Sequence, residues 1–292
     1  MLENNKNFVS LGGVKQFALF VFLLAAVFLG SMTAARHLAV EHEAVGEPLP
    51  FAPANFSLVH RPFTVVIVGF NNGGAVPKTI ASVLNQTYDN FRVVYIDDAS
   101  NDGSFDVARD AIYESDHLAH VTLVRNEERL GVLANIYRAV IALPDNEIVV
   151  ILDGEDLLAH EWVLERLNAY YDDPNLWISL AQGVDYPSFE RSEPVNGLGV
   201  HLKSFYAALF KKIRGGDLAR SGTFLKTGAE SMYMTPMLEM AKHHFAFIPE
   251  VLIVNRRDPQ VDREEVLNID QYIRAQDPYD PLTTLLELPC GE

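Results

Sequence analysis

Ile148-Val149-Val150-Ile151-Leu152-Asp153-Gly154-Glu155-Asp156 decides how this chain reads. Five apolar, mostly β-branched residues in succession suit a strand buried on both faces, as in a parallel sheet. The run then ends on three carboxylates within four residues. Carboxylates crowded at a strand end repel one another unless a cation joins them. Hard oxygen ligands suit Mg2+ or Mn2+, which keep several waters and are shared with a substrate's phosphates. Gly154 would let the backbone approach such a ligand closely. Taken alone, the segment reads equally well as a solvated acidic turn.

Upstream, apolar runs alternate with helical patterns. Phe63 to Gly69 is a strand, Pro77 opens a helix reaching Gln86, and Arg92 to Ile96 is a strand stopping at Asp97-Asp98. A helix over Phe105 to Tyr113, a strand over Val121 to Val124 and a helix over Gly131 to Leu143 follow. This alternation argues for an α/β sheet with right-handed crossovers. Ligands of such sheets lie beyond the carboxyl ends of the strands, which singles out Asn71, Asp97, Asp98 and Asp153 to Asp156. Downstream, helices are expected over His160 to Tyr171 and Glu230 to Lys242, and strands over Leu176 to Leu180 and Ala246 to Val254. Pro249 marks an edge or a bulge in the last strand. His201 to Ile213 reads as an amphipathic, core-packing helix, and the acidic tail beyond Asp270 as loosely held.

The N-terminal part is of another kind. Phe17 to Ala35 carries no charge. As a helix it reaches about 28 Å, enough to cross a bilayer core. Lys6 and Lys15 precede it and Glu41, Glu43 and Glu47 follow, so a single-pass membrane protein with a cytoplasmic N-terminus is expected. A cleaved signal peptide and a buried core helix are the alternatives. The expected organisation is a tail (1–16), an anchor (17–35), a Pro-containing linker (36–61), a globular domain (62–258) and a C-terminal extension (259–292). The formal net charge of −16 argues against nucleic acid as a partner. The lone Cys290 excludes an internal disulfide and a cysteine-based zinc site.

Three further groups of residues have chemical potential. Asp98 can accept hydrogen bonds from a base N–H and Ser100 can meet a ribose hydroxyl; strand-end and helix capping by the same loop is the plainer reading. Arg129 precedes a helix N-terminus, where a cation can meet a phosphate or a base, or be an ordinary surface arginine. Glu230 opens a helix; its carboxylate can take a proton from an attacking hydroxyl, or simply answer the helix dipole. No Gly-x-x-x-x-Gly-Lys loop, Gly-x-Gly-x-x-Gly turn or Gly-x-Ser-x-Gly elbow is present.

Four motifs in order resemble the family-2 glycosyltransferases of the GT-A fold. They are Val66 to Asn71, the helix Ile80 to Tyr88 (Ile-Ala-Ser-Val-Leu-Asn-Gln-Thr-Tyr), Tyr95 to Gly103 (Tyr-Ile-Asp-Asp-Ala-Ser-Asn-Asp-Gly) and Leu152 to Asp156. The resemblance implies a mixed, mostly parallel sheet flanked by helices, a nucleotide-diphospho-sugar donor (usually a UDP-sugar) and anomeric inversion. It implies that 62–157 binds the donor and 158–258 the acceptor, a glycan, lipid or protein. Asp98 would bind the base, Asp153 and Glu155 the ribose and diphosphate, and Asp156 would be the principal ligand of Mn2+ or Mg2+, with Asp153 and Glu155 beside it. Arg129 would lie near the nucleotide, with Asn71 and Asp97 lining the same site. Met234 to Ala241 resembles a subgroup whose catalytic base falls at Glu230; glutamate stands for the family's aspartate there and at Glu155. The Gln/Arg-x-x-Arg-Trp motif of processive members is absent, so a single sugar per event is expected. Asn255-Arg256-Arg257 could supply cations over the diphosphate. Two rival readings remain: a non-catalytic GT-A module that holds a nucleotide sugar or glycan, and a nucleotidyltransferase making the activated sugar.

Overall fold

The structure is a computed structural model that describes residues 59–115, 117–188, 190–191, 201–220, 223–224, 230–256, 268–269, 271–273 and 275–285. The proposed anchor, most of the linker and Arg257 lie outside the described residues. Among the described residues, no helix is long and apolar enough to cross a membrane.

The donor half follows the sequence reading closely. Strands β1 (Phe63–Gly69), β2 (Phe91–Asp97), β3 (Val121–Arg125) and β4 (Ile148–Asp153) run parallel, in the spatial order β3-β2-β1-β4. Helices α1 (Val76–Leu84), α2 (Ser104–Tyr113) and α3 (Val132–Ile141) connect them. The period of two in β1 sorts its side chains between two cores. Phe63, Val65 and Ile67 face α1, α2 and helix α4 (Val163–Tyr170), whereas Val66 and Val68 face α3 and the helices after residue 206.

The second half is mixed. After the two-residue strand β5 (Leu157–Leu158) come β6 (Ile178–Asp185), β7 (Glu190–Arg191) and β8 (Leu202–Tyr206). Short β9 (Ala219–Arg220) and β10 (Thr223–Phe224) precede the long β11 (Phe245–Asn255). The main sheet continues β4-β8-β6-β11-β5, with β8 antiparallel to both its neighbours. Pro249 sits where the β6–β11 register shifts, between Ile248 and Val251, so the expected bulge is present.

Two expectations are corrected. His201 to Ile213 is not one helix: β8 is followed by the short helix α5 (Ala207–Lys211). Four of the five β8 residues are buried because the strand is covered on both faces. Ser204 meets Ser179 Oγ at 2.6 Å and Tyr171 Oη at 2.9 Å on one face, while Phe205 packs on Phe210 on the other. The tail is not loosely held over its described part. Tyr272, Ile273, Tyr279 and Leu282 pack on the core that contains helix α6 (Glu230–Ala241), and the Leu282 N–H donates to Met240 O at 2.9 Å.

Gly154 has a packing reason rather than a ligand-approach one. A Cβ there would fall 2.1 Å from Asn72 Nδ2 and 2.7 Å from Gly69 Cα, so the ends of β1 and β4 close only over two glycines. Its N–H donates to Val68 O and its carbonyl accepts from Thr79 Oγ1. Gly154→Ala should therefore destabilise the fold by about 1–3 kcal/mol, as overpacking does. Urea unfolding of wild type and variant measures it; an unchanged midpoint would show that the strand ends part freely.

Candidate active site

All site residues expected from the sequence, Glu230 excepted, come from the carboxyl ends of β1, β2 and β4 and the segments that follow β1 to β4. In register, Gly69 pairs with Asp97 and Val68 with Asp153, so these two aspartates flank the end of β1 on either side. Two strand spacings separate them, about 10 Å.

On the β2 side, the carboxylates build the rim. Asp97 is fully buried; its Oδ1 accepts the Ser100 N–H at 2.9 Å, and its Oδ2 has no hydrogen-bond partner. Tyr95 Oη is likewise buried and unpartnered, and burial followed by the charges of Asp97 and Asp102 pushes its hydroxyl up. Asp98 accepts from Asn126 Nδ2 (2.9 Å), Leu130 N (2.9 Å) and Gly131 N (2.8 Å). Burial pushes this carboxyl up, but hydrogen bonds from Asn135, Leu130, Asn126 and Gly131 outweigh it and hold it below the usual range. Three N–H donors thus fix Asp98 over the turn into α3, the capping role that its strand end also offered. Ser100 accepts the Asn71 N–H at 2.9 Å, and Asn71 Oδ1 accepts the Asn101 N–H at 3.0 Å. Asn71 adopts a φ of 53°, a left-handed conformation that asparagine tolerates better than most residues. Asp102 Oδ2 accepts the Gly73 N–H at 3.1 Å. The segments 71–73 and 100–104 are thus laced into one rim. Above it the Arg129 guanidinium lies over the Phe70 ring, 3.9 Å from its centroid.

On the β4 side, the carboxylates face one another. Asp153 is open to solvent yet walled by protein, and burial raises its carboxyl while Lys203 pulls it down. Asp156 is only 8% exposed and its Oδ1 accepts the Arg256 N–H from the end of β11 at 2.7 Å. Burial, then the charge of Asp153, pushes the Asp156 carboxyl up to about 8. Glu155 is half-buried in the turn between them and adds to that push. The Arg256 guanidinium covers the exposed Tyr186 ring at 4.7 Å.

Lys203 is the residue the sequence reading missed. It pairs across the sheet with Ile151, and Asp153 lies two residues further along β4 on the same face. It is 8% exposed; burial pulls its ammonium down to about 8, against the opposing pull of Asp153 and Asp156. Its Nζ forms an ion pair with Glu230 Oε1 at the start of α6. Glu230 is thereby brought to the acidic cluster from a different element. Once His201 to Ile213 is read as a helix, Lys203 is just another basic residue; on the strand β8 it lies opposite the acidic run.

A cation is compatible with this donor set. Among the described residues, no three metal-binding side chains form a cage of their own. Cations that bind substrate phosphates need only one or two carboxylates from the protein. Asp153 and Asp156 supply hard oxygens, and the raised Asp156 carboxyl shows a buried carboxylate short of positive charge.

Residues 64–238, more than half of the chain, match the model of Glycosyl transferase family 2. The poly(ribitol-phosphate) beta-N-acetylglucosaminyltransferase TarP of Staphylococcus aureus (strain N315) is 28% identical over 196 residues, 62% of this chain and 58% of TarP. The chain spans from about a third to somewhat over half of the length of the curated relatives it matches. Among solved structures, the mannosyltransferase PcManGT from Pyrobaculum calidifontis, in complex with GDP-Man and Mn2+, superposes with a TM-score of 0.59 at 19% identity, covering 90% of this chain and 76% of that one. S. aureus TarS 1-349 in complex with UDP-GlcNAc gives 0.53 at 13% identity, covering 73% of this chain and 65% of that one. Likeness at such identities speaks for the fold, a GT-A-like mixed sheet flanked by helices. With the family model running from β1 into α6, the chain belongs to glycosyl transferase family 2.

Proposed function

We propose that this chain moves a single sugar from a nucleotide-diphospho-sugar to an acceptor hydroxyl, with inversion at the anomeric carbon. The single observation that carries the reading is the meeting of Asp153, Asp156, Lys203 and Glu230, drawn from three separate elements, beyond the end of β4. Two of the relatives named above are solved with such sugars, PcManGT with GDP-Man and TarS with UDP-GlcNAc. A UDP-sugar is the favoured donor class.

In this reading the base lies against the Phe70–Arg129 pair and the rim that Asn71, Asp97 and Ser100 form. Asp153 and Glu155 face the ribose and diphosphate. Asp156, with Asp153, would hold Mn2+ or Mg2+, which neutralises charge on the leaving diphosphate. Glu230 takes the proton of the acceptor hydroxyl as its oxygen attacks the anomeric carbon. The bond from that carbon to the diphosphate oxygen breaks, and the nucleoside diphosphate leaves with the bonding pair. Arg256, stacked on Tyr186 at the end of β11, lies on the side from which a cation can cover the diphosphate. The acceptor, a glycan, lipid or protein, is met by the second half of the domain. Membrane attachment through Phe17 to Ala35, with the N-terminus cytoplasmic, completes the proposal. It rests on the uncharged length of that stretch and the charges flanking it.

One observation favours the non-catalytic alternative. The candidate base is already ion-paired to Lys203, as a carboxylate retired from proton transfer would be.

The two readings part in an assay of UDP or GDP release from a panel of nucleotide sugars, with and without Mn2+. Wild type should release nucleotide with at least one donor, and Asp156→Ala should lower the rate by about 10²-fold or more. Equal rates in the two proteins would refute the site, and nucleotide binding without turnover would favour the module. A second expectation concerns pH. The Asp156 carboxyl, held up near 8 by burial and Asp153, must shed its proton to accept a cation. Binding of Mg2+ with UDP should tighten from pH 6 to pH 8 and release protons. Calorimetry in buffers of different ionisation enthalpy reads this; pH-independent affinity would contradict it. For the anchor, the full chain should sediment with membranes and resist alkaline carbonate extraction, while a chain starting at Pro62 should stay in the supernatant.

A further inference from the structure

We infer that Lys203 is a positioning residue for Glu230, fixing where the carboxylate that takes the acceptor's proton sits. The inference rests on the proposed function and names a part of that site which its motifs do not contain.

Glu230 is the first residue of α6, so its side chain projects from a helix end and not from a packed helix face. A glutamate has three side-chain torsions, and an unconstrained one at a helix terminus samples many rotamers. A base displaced by about 1 Å from its productive position loses much of its effect. Glu230 keeps 28% of its side chain exposed, and its Oε1 is ion-paired with the Lys203 ammonium. That pairing restricts the rotamers open to Glu230.

Lys203 is itself well fixed. It is 8% exposed, its strand pairs with β4 on one side and β6 on the other, and its place opposite Ile151 is set by that register. A lysine on a doubly paired, interior strand is a costly choice unless its charge is used. Its ammonium faces Asp153 and Asp156 as well as Glu230. It thus ties the base, carried by α6, to the acidic strand end that would hold the diphosphate. Through one ammonium, the distance between proton acceptor and leaving group is set by the sheet rather than by a loop.

A double-mutant cycle tests this, using the full chain, the donor that gives the fastest release in the panel, and Mn2+. Lys203→Met should lower kcat by about thirty-fold and leave the donor KM and the affinity for UDP within about twofold. Lys203→Arg keeps the charge and should recover all but about threefold. In a Glu230→Gln background, Lys203→Met should cause no further loss of kcat beyond about twofold, because its effect on kcat runs through the carboxylate. A lysine needed merely for folding would lower the active fraction in both backgrounds alike. Losses that multiply, or a raised donor KM with kcat unchanged, overturn the inference and leave Glu230's role standing. A Glu230→Gln variant as fast as wild type instead overturns the base assignment, and the inference with it. If Lys203→Met does not fold, Lys203→Arg carries the cycle: its smaller loss should vanish in the Glu230→Gln background, and persistence there overturns the inference.

Discussion

The structure turns on an unbalanced group of charges at the carboxyl end of β4. Asp153, Asp156 and Glu230 meet one buried ammonium, Lys203, so the group carries an excess of negative charge when all are ionised. Like charges in partly desolvated surroundings cost free energy, and the protein shows that cost as a raised Asp156 carboxyl and a lowered Lys203 ammonium. A stable fold accepts such a cost where a ligand is to remove it. Much of the second half follows from holding these groups together. β8 is inserted antiparallel between β4 and β6 and carries the lysine. α6 starts where its first residue reaches that lysine. β11 ends where the Arg256 N–H can bond Asp156.

The carboxylates at the end of β2 serve a different purpose, although both strand ends carry the same side chain. Asp97 and Asp98 are turned into the protein, where the Ser100 N–H bonds one Asp97 oxygen and the Leu130 and Gly131 N–H groups with the Asn126 side chain hold Asp98. They shape the rim into which a base would fit. Among the described residues Asp153 and Asp156 lack such donors, apart from the Arg256 N–H on Asp156, and keep oxygens for something outside the fold. The number of N–H partners separates carboxylates that build from carboxylates that bind.

The donor half was legible in the sequence because its two central strands are doubly buried and so read as continuous apolar runs: Phe63 to Gly69 and Ile148 to Leu152 each announced themselves. Pro249 likewise announced its bulge. Three features were not legible, each for a physical reason. Leu202 to Tyr206 holds a buried lysine and a buried serine, so no apolar run marks it as a strand; its neighbours, Ser179 and Glu230, are far away in sequence. The N–H donors that fix Asp98 stand some thirty residues on, which strand-end rules do not foresee. Gly154 looked like a ligand-contacting glycine, but its requirement comes from Gly69 and Asn72 across the sheet. The tail was misjudged from its charge and prolines; Tyr279 and Leu282 were the apolar anchors that composition hid.

The central claim is that the charge excess beyond β4 is completed by a divalent cation and a nucleoside diphosphate. An anomalous-difference map from a crystal of the domain grown with UDP and MnCl2 tests it most directly. The account expects one manganese peak within coordination distance of an Asp156 carboxylate oxygen, shared with the diphosphate, and the base against Phe70 and Arg129. Manganese away from Asp156, or UDP bound elsewhere than beyond the ends of β1 and β4, would contradict it.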